Sequence, residues 1–255
     1  KSLNDAGYAV LVVDSFGPRG MDQMWTKSPI QVKGAGSFLV ADAFRSLALL
    51  ATHPRIDASR IAFVGFSMGG FTANYVIQER FRRGILGDSP LRFAASVSHY
   101  PACHYNFIEK NPSPVPLFLF LGEKDDWTPA IACQEYGALL TSRGYKVSTQ
   151  VYAGAGHGYD EDLPAVYQGF VTSTASCNPL VVNLDEPVLA PTFLRGGALL
   201  APGADTRAAA ISVYKWASAC NTHGGTLGWS PGAGDRREDA VRDTIKVLQG
   251  AMVSS

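Results

Sequence analysis

A serine set among glycines, Gly65-Phe66-Ser67-Met68-Gly69-Gly70, constrains what this chain can fold into more than any other stretch. Residues 60–64 before it are apolar and β-prone, and of about strand length. Residues 71–77 after it read as a helix. The G-x-S-x-G pattern therefore falls on a strand-to-helix turn, the context of a nucleophile elbow. A serine at the tip of so tight a turn holds strained backbone angles, and its neighbours must be small for strand and helix to pass closely. The turn lifts the Ser67 hydroxyl clear of the sheet and aims the Met68 N–H, at the helix N-terminus, toward an oxyanion forming there.

A serine hydroxyl is a weak nucleophile at neutral pH. It needs a base in hydrogen-bond reach, and the base needs an orienting group. In a sheet of this kind both sit on loops after later strands, in the order serine, acid, histidine. Residues 117–121 form an apolar strand followed by Gly122-Glu123-Lys124-Asp125-Asp126-Trp127-Thr128-Pro129. Asp125, at the strand end, is preferred over Asp126 as the acid. Thr128 is expected to cap the helix 130–142, with Pro129 at its first position. Residues 147–152 form the next strand, and a glycine-rich loop carrying His157 follows. Of the five histidines only His157 has this placement. His53 and His223 are expected at the surface and His99 and His104 in structural roles. Asp160 and Asp162 are expected to be solvated. A histidine base also predicts a rate that falls as acid protonates the imidazole.

The rest of the chain alternates strands with helices, which predicts a mostly parallel sheet with right-handed crossovers. Residues 1–7 read as a helix end stopped by Gly7. Residues 8–14, a continuous apolar run, read as a parallel strand covered on both faces. Residues 15–36 read as a loop and residues 38–52 as a helix. The elbow helix is expected to run to about Arg82. Residues 93–98 read as a strand and residues 102–116 as a loop. Residues 238–252 carry Val241, Ile245, Leu248 and Met252 on one face and form a closing amphipathic helix. Residues 166–219 show little period and remain unassigned; within a single domain, about 160–220 is the candidate for an insertion covering the site.

Lys plus Arg and Asp plus Glu number 22 each, so a net charge of zero favours neither nucleic acid nor an acidic membrane as partner. No apolar run approaches the roughly 18 residues of a membrane span. Cys103, Cys133, Cys177 and Cys220 fit either two disulfides in an exported protein or four buried thiols in a cytosolic one. We expect export, to a periplasm or beyond the cell, and of the three connectivities Cys103–Cys133 with Cys177–Cys220.

Several stretches together resemble the dienelactone hydrolase branch of the α/β-hydrolases. They are Gly7-Tyr8-Ala9-Val10-Leu11-Val12-Val13-Asp14-Ser15-Phe16-Gly17-Pro18-Arg19-Gly20, the elbow, Gly122-Glu123-Lys124-Asp125 with Pro129, Ala155-Gly156-His157-Gly158-Tyr159, and Gly225-Thr226-Leu227-Gly228 leading to the last helix. The resemblance implies an α/β-hydrolase fold with helices on both faces of the sheet. It implies hydrolysis of small carboxylic esters or lactones without metal or cofactor. In the family pattern the acid lies three residues after the glycine and four before the proline, which again selects Asp125. The best-known members use a cysteine nucleophile; Ser67 in that place points to general ester hydrolysis. Arg19 and Trp127, on strand-end loops, are candidate substrate contacts, with a loop-bracing salt bridge as the alternative for Arg19 and packing as that for Trp127. The family's second oxyanion donor comes from a strand upstream of residues 8–14. That strand is not in the sequence, which begins at Lys1 and reads as a clipped chain or fragment. A serine peptidase or polyester hydrolase of the same fold, and a binding protein with a dead site, are the rival readings.

Overall fold

The computed structural model describes residues 1–21, 29–161, 164–186, 191–200, 205–228 and 236–253. Its centre is a four-stranded sheet in the order β1 (Phe63–Phe66), β2 (Ser96–His99), β4 (Leu117–Gly122) and β5 (Val147–Tyr152), every neighbour parallel. Side chains alternate across it. Leu117, Leu119 and Leu121 of β4 enter one apolar core, while Phe118 and Phe120 enter the other. Two buried faces explain why β4 reads as an unbroken apolar run.

The first core is covered by α2 (Pro29–Ala51), α3 (Met68–Tyr75), α4 (Glu79–Leu86) and α5 (Ala130–Ser142), through residues such as Phe44, Leu47, Tyr75 and Tyr136. The second is covered by α7 (Arg236–Val253), through Ala240, Leu248 and Met252, with Leu3 of α1 (Ser2–Asp5) against it. Helices on both faces of a parallel sheet make this the expected α/β-hydrolase fold.

Several elements depart from the sequence reading. Residues 8–14 are not a strand. They follow α1 without regular structure, with no ladder to β1 among the described residues, and Val10, Leu11, Val12 and Val13 are exposed. A strand needs a neighbour to take its N–H and C=O groups, and β1 is the last strand on that side of the sheet. The helix expected from residue 38 begins at Pro29, a favoured residue for a first turn. The elbow helix stops at Tyr75, and α4 starts anew at Glu79. Between them Gln78 turns extended and buries its amide, donating to the Phe107 carbonyl and accepting from the Tyr145 hydroxyl. Those buried bonds outweigh continued helix.

The expected loop 102–116 contains β3 (Tyr105–Ile108), whose partner β7 (Leu180–Asn183) lies far along the chain and in turn pairs with β8 (Thr192–Phe193). The unassigned stretch also supplies β6 (Val166–Ser173), which pairs antiparallel with β9 (Thr222–Leu227), and α6 (Thr206–Cys220). Disulfides join Cys103 to Cys133 and Cys177 to Cys220, the expected pairs. No helix among the described residues is long and apolar enough to cross a membrane.

Candidate active site

Ser67 stands between β1 and α3 with φ 50°, a left-handed conformation that an L-residue adopts only where its surroundings force it. The forcing is visible at two glycines. A Cβ on Gly65 would lie 2.0 Å from the Gly69 carbonyl oxygen, and one on Gly70 would lie 2.5 Å from that of His99. Ser98 and Ser96 beneath the helix donate to the Gly70 and Ala73 carbonyls, tying α3 down onto β2. The Ser67 N–H donates to the His99 carbonyl. The Met68 N–H is the first of α3, one of the opening groups that find no partner within a helix.

The Ser67 Oγ lies 2.8 Å from His157 Nε2, and His157 Nδ1 lies 2.9 Å from Asp125 Oδ2. The acid and the imidazole are buried. This chain of contacts requires the proton on Nδ1, donated to Asp125, and leaves Nε2 to accept from the serine. The Asp125 carboxylate is fixed from both sides. Its Oδ1 accepts the N–H groups of Trp127 and Thr128, and its Oδ2 accepts the Thr128 hydroxyl at 2.9 Å. The neighbouring Asp126 turns away and accepts the N–H and hydroxyl of Thr226 in β9.

Around the imidazole stand two aromatic rings. Trp127 packs on it at 4.5 Å between ring centroids, its indole N–H donating to the Thr172 carbonyl of β6. Tyr100 meets it edge-on at 4.8 Å and donates to Asp160 at 2.5 Å. Tyr100, at the end of β2, also holds a positive φ of 36°. Burial pushes the Asp160 carboxyl up, against the pull of the Tyr100 hydroxyl. Asp160 is thus half-buried rather than solvated; Asp162 lies outside the described residues.

The β6–β9 ribbon is seated on both loops. Ser173 donates to the carbonyls of Asp126 and Trp127, and the Gly228 N–H donates to the His157 carbonyl at 2.7 Å. A Cβ on Gly225 would meet that of Trp127 at 2.8 Å, so ribbon and acid loop are in close contact.

Arg19 is a brace. Its guanidinium grips Asp42 at 2.7 and 3.0 Å, donates to the Ser15 carbonyl and covers the Phe38 ring at 4.5 Å. Bidentate pairing of this kind commits both arms of the fork. Thr128 does not cap α5, whose cap position is Pro129; its hydroxyl faces Asp125, His157 and the Tyr100 carbonyl instead. His99 is structural. Buried between the Tyr159 and Thr244 hydroxyls and stacked on Phe66, it is lowered by burial to about 3. His104 pairs with the Thr174 hydroxyl, and His223 is exposed on β9. Sequence reasoning missed Tyr100, Asp160 and the site role of Thr128. The only sequence signal for them was their position on strand-end loops. Among the described residues no group of three or more His, Cys, Asp or Glu side chains is disposed to hold a metal ion.

Residues 1–177 match the profile of the dienelactone hydrolase family. A probable 2-oxo-3-(5-oxofuran-2-ylidene)propanoate lactonase of Bradyrhizobium sp is 22% identical over 183 residues, 70% of this chain and 73% of that protein. Acylamino-acid-releasing enzyme 2 of Oryza sativa subsp. japonica is 30% identical over 138 residues, 53% of this chain but 15% of its own length. Among solved structures, the alpha/beta hydrolase MGS-M1, from a Medee basin deep-sea metagenome library, is 23% identical with a TM-score of 0.39. The match covers 47% of this chain and 50% of that one. The chain thus spans about half the length of that solved structure.

Proposed function

We propose that this chain, which belongs to the dienelactone hydrolase family, is a carboxylic ester hydrolase that cleaves small esters or lactones through Ser67, His157 and Asp125 with an acyl-enzyme intermediate. The observation that carries this reading is the unbroken hydrogen-bonded path from Ser67 Oγ through the imidazole to Asp125 Oδ2, built on a strained elbow.

In the first half-reaction the Ser67 oxygen attacks the ester carbonyl carbon while its proton passes to His157 Nε2. The tetrahedral oxyanion forms beside the helix start, where the Met68 N–H is the donor we assign to it. Asp125 holds the imidazolium. Collapse breaks the bond to the alcohol oxygen, which leaves with the proton from Nε2. Water then repeats the sequence on the acyl-serine, releasing the acid and restoring Ser67. Trp127, lying on the imidazole, forms one wall for the substrate.

A lactone is an ester whose alcohol stays tethered, so the same steps open the ring. The two disulfides suit an oxidising compartment, and we place the protein in a periplasm or outside the cell.

Short p-nitrophenyl esters test the reading. Ser67→Ala should lose at least about 10⁴-fold in kcat with an unchanged circular dichroism spectrum. Turnover at the parent rate in that variant would contradict the mechanism.

A further inference from the structure

The Thr128 hydroxyl belongs to no helix cap, yet it is buried at the centre of the site. Thr128 Oγ1 lies 2.9 Å from Asp125 Oδ2, 3.0 Å from His157 Nδ1 and 3.2 Å from the Tyr100 carbonyl. With the Nδ1 to Oδ2 distance of 2.9 Å it closes a triangle of three polar atoms. Three apolar atoms would fill the same space without linking the loops. A hydroxyl has one proton to give. That proton goes to Asp125 Oδ2, at 2.9 Å the nearer of its two acceptors, and an oxygen lone pair is left facing the Nδ1–H.

We propose that Thr128 is a positioning residue for the hydrolysis: its hydroxyl locks carboxylate and imidazole together and keeps Nε2 aimed at Ser67. This rests on the ester-hydrolase reading above. The hydroxyl works in both stages of proton transfer. While His157 is neutral, the triangle holds the Nδ1–H tautomer that leaves Nε2 free to accept. Once the serine proton reaches Nε2, the Nδ1–H faces two oxygens already in place, Asp125 Oδ2 and Thr128 Oγ1. Dipoles fixed before the reaction need not reorganise during it. The Thr128 N–H adds to the grip by donating to Asp125 Oδ1 at 2.7 Å, so one residue holds both carboxylate oxygens. The Tyr100 carbonyl, 3.2 Å from the same hydroxyl, sets the acid loop against the end of β2, where the Tyr100 ring abuts the imidazole.

The two halves of the threonine side chain separate this role from packing. Thr128→Val keeps the methyl and loses the hydroxyl; Thr128→Ser keeps the hydroxyl and loses the methyl. With p-nitrophenyl acetate, Thr128→Val should lower kcat roughly tenfold to a hundredfold, the worth of one hydrogen bond to a charged group. KM should move by less than about threefold, since the lost contact acts on the reacting groups and not on substrate binding. Thr128→Ser should keep most of kcat. Proton NMR gives a readout without turnover: the downfield His157 Nδ1–H resonance should shift in Thr128→Val and hold its place in Thr128→Ser. A Thr128→Val enzyme with parent kcat and an unmoved resonance would overturn the proposal. So would a folded Thr128→Ser as impaired as the valine variant, which is the mark of a packing role. If Thr128→Val does not fold, the serine variant alone decides against the parent: most of kcat kept supports the role of the hydroxyl, and a tenfold or greater loss overturns it. Parent protein inactive on esters would bring down the function reading and this proposal together; active parent with an indifferent Thr128→Val would bring down this one alone.

Discussion

Gly65 has no room for a side chain, because the Gly69 carbonyl occupies the place of its Cβ. Relief would require α3 to move off the sheet, and Ser67 would move with it. Gly65→Ala should therefore cost activity out of proportion to stability. We expect at least a tenfold loss of kcat/KM on p-nitrophenyl acetate, about 1.4 kcal/mol in the barrier, in a protein that still melts cooperatively; parent activity would show that the elbow tolerates the methyl. Much of the site is legible at this scale, because glycine spacing and loop position are local signals. Those signals mark Ser67, Asp125 and His157, and the fold brings the imidazole within hydrogen-bond distance of both the serine and the aspartate. The choice between adjacent Asp125 and Asp126 followed from the strand end. The roles of Thr128, Tyr100 and Asp160 were not legible. A threonine before proline reads as a cap, and an aspartate in a polar loop reads as solvated, until the rings and carbonyls that bury them are in place.

At the scale of elements, the central strands and α5 follow from apolar runs and turn residues close in sequence. The departures share a cause: each depends on a partner far along the chain. β3 exists because β7 lies beside it, and residues 8–14 form no ladder because no described strand flanks them. The β6–β9 ribbon could not be read locally, since its strands are joined across α6 and the β7–β8 pair. Cys177–Cys220 closes that segment, with a sequence separation of 43 residues. On a chain-entropy account a loop of this size contributes between roughly 3 and 4.7 kcal/mol. The paired change Cys177→Ser with Cys220→Ser should lower the melting temperature and open 166–227 to limited proteolysis. Because the ribbon seats Trp127 and the His157 loop, ester turnover should fall with it; full activity in a proteolytically open variant would separate ribbon from site.

For the whole molecule, two buried histidines and the ion-paired Glu79 are among the groups that make acid destabilising. Burial lowers His99 to about 3, and burial with Arg195 nearby lowers His104 to about 4, against an ordinary value of 6.5. As pH falls below that value the unfolded chain takes up protons that the folded one refuses, so stability declines. Burial acts to raise Glu79, but its bonds to Arg82 and Arg92 prevail and hold it at about 2. Its contribution is present above the ordinary carboxylate range and is lost as pH drops toward 2. All three act in one direction, and the raised carboxyls of Asp160, Glu109 and Glu161 offset only part of it. Urea titrations should show stability falling steadily from about pH 6.5 downward, and His99→Gln should flatten the upper part of that slope. A stability constant from pH 7 to 4 would contradict the assignment of His99 and His104 as neutral.

Folded as described, this chain should carry an activated serine at position 67. Treatment with a fluorophosphonate, followed by intact-mass analysis and peptide mapping, tests it without any assumption about the substrate. One adduct per chain is expected, on Ser67, lost in Ser67→Ala and slowed in Thr128→Val. A folded protein that takes up no reagent, or takes it up at another residue, would contradict it.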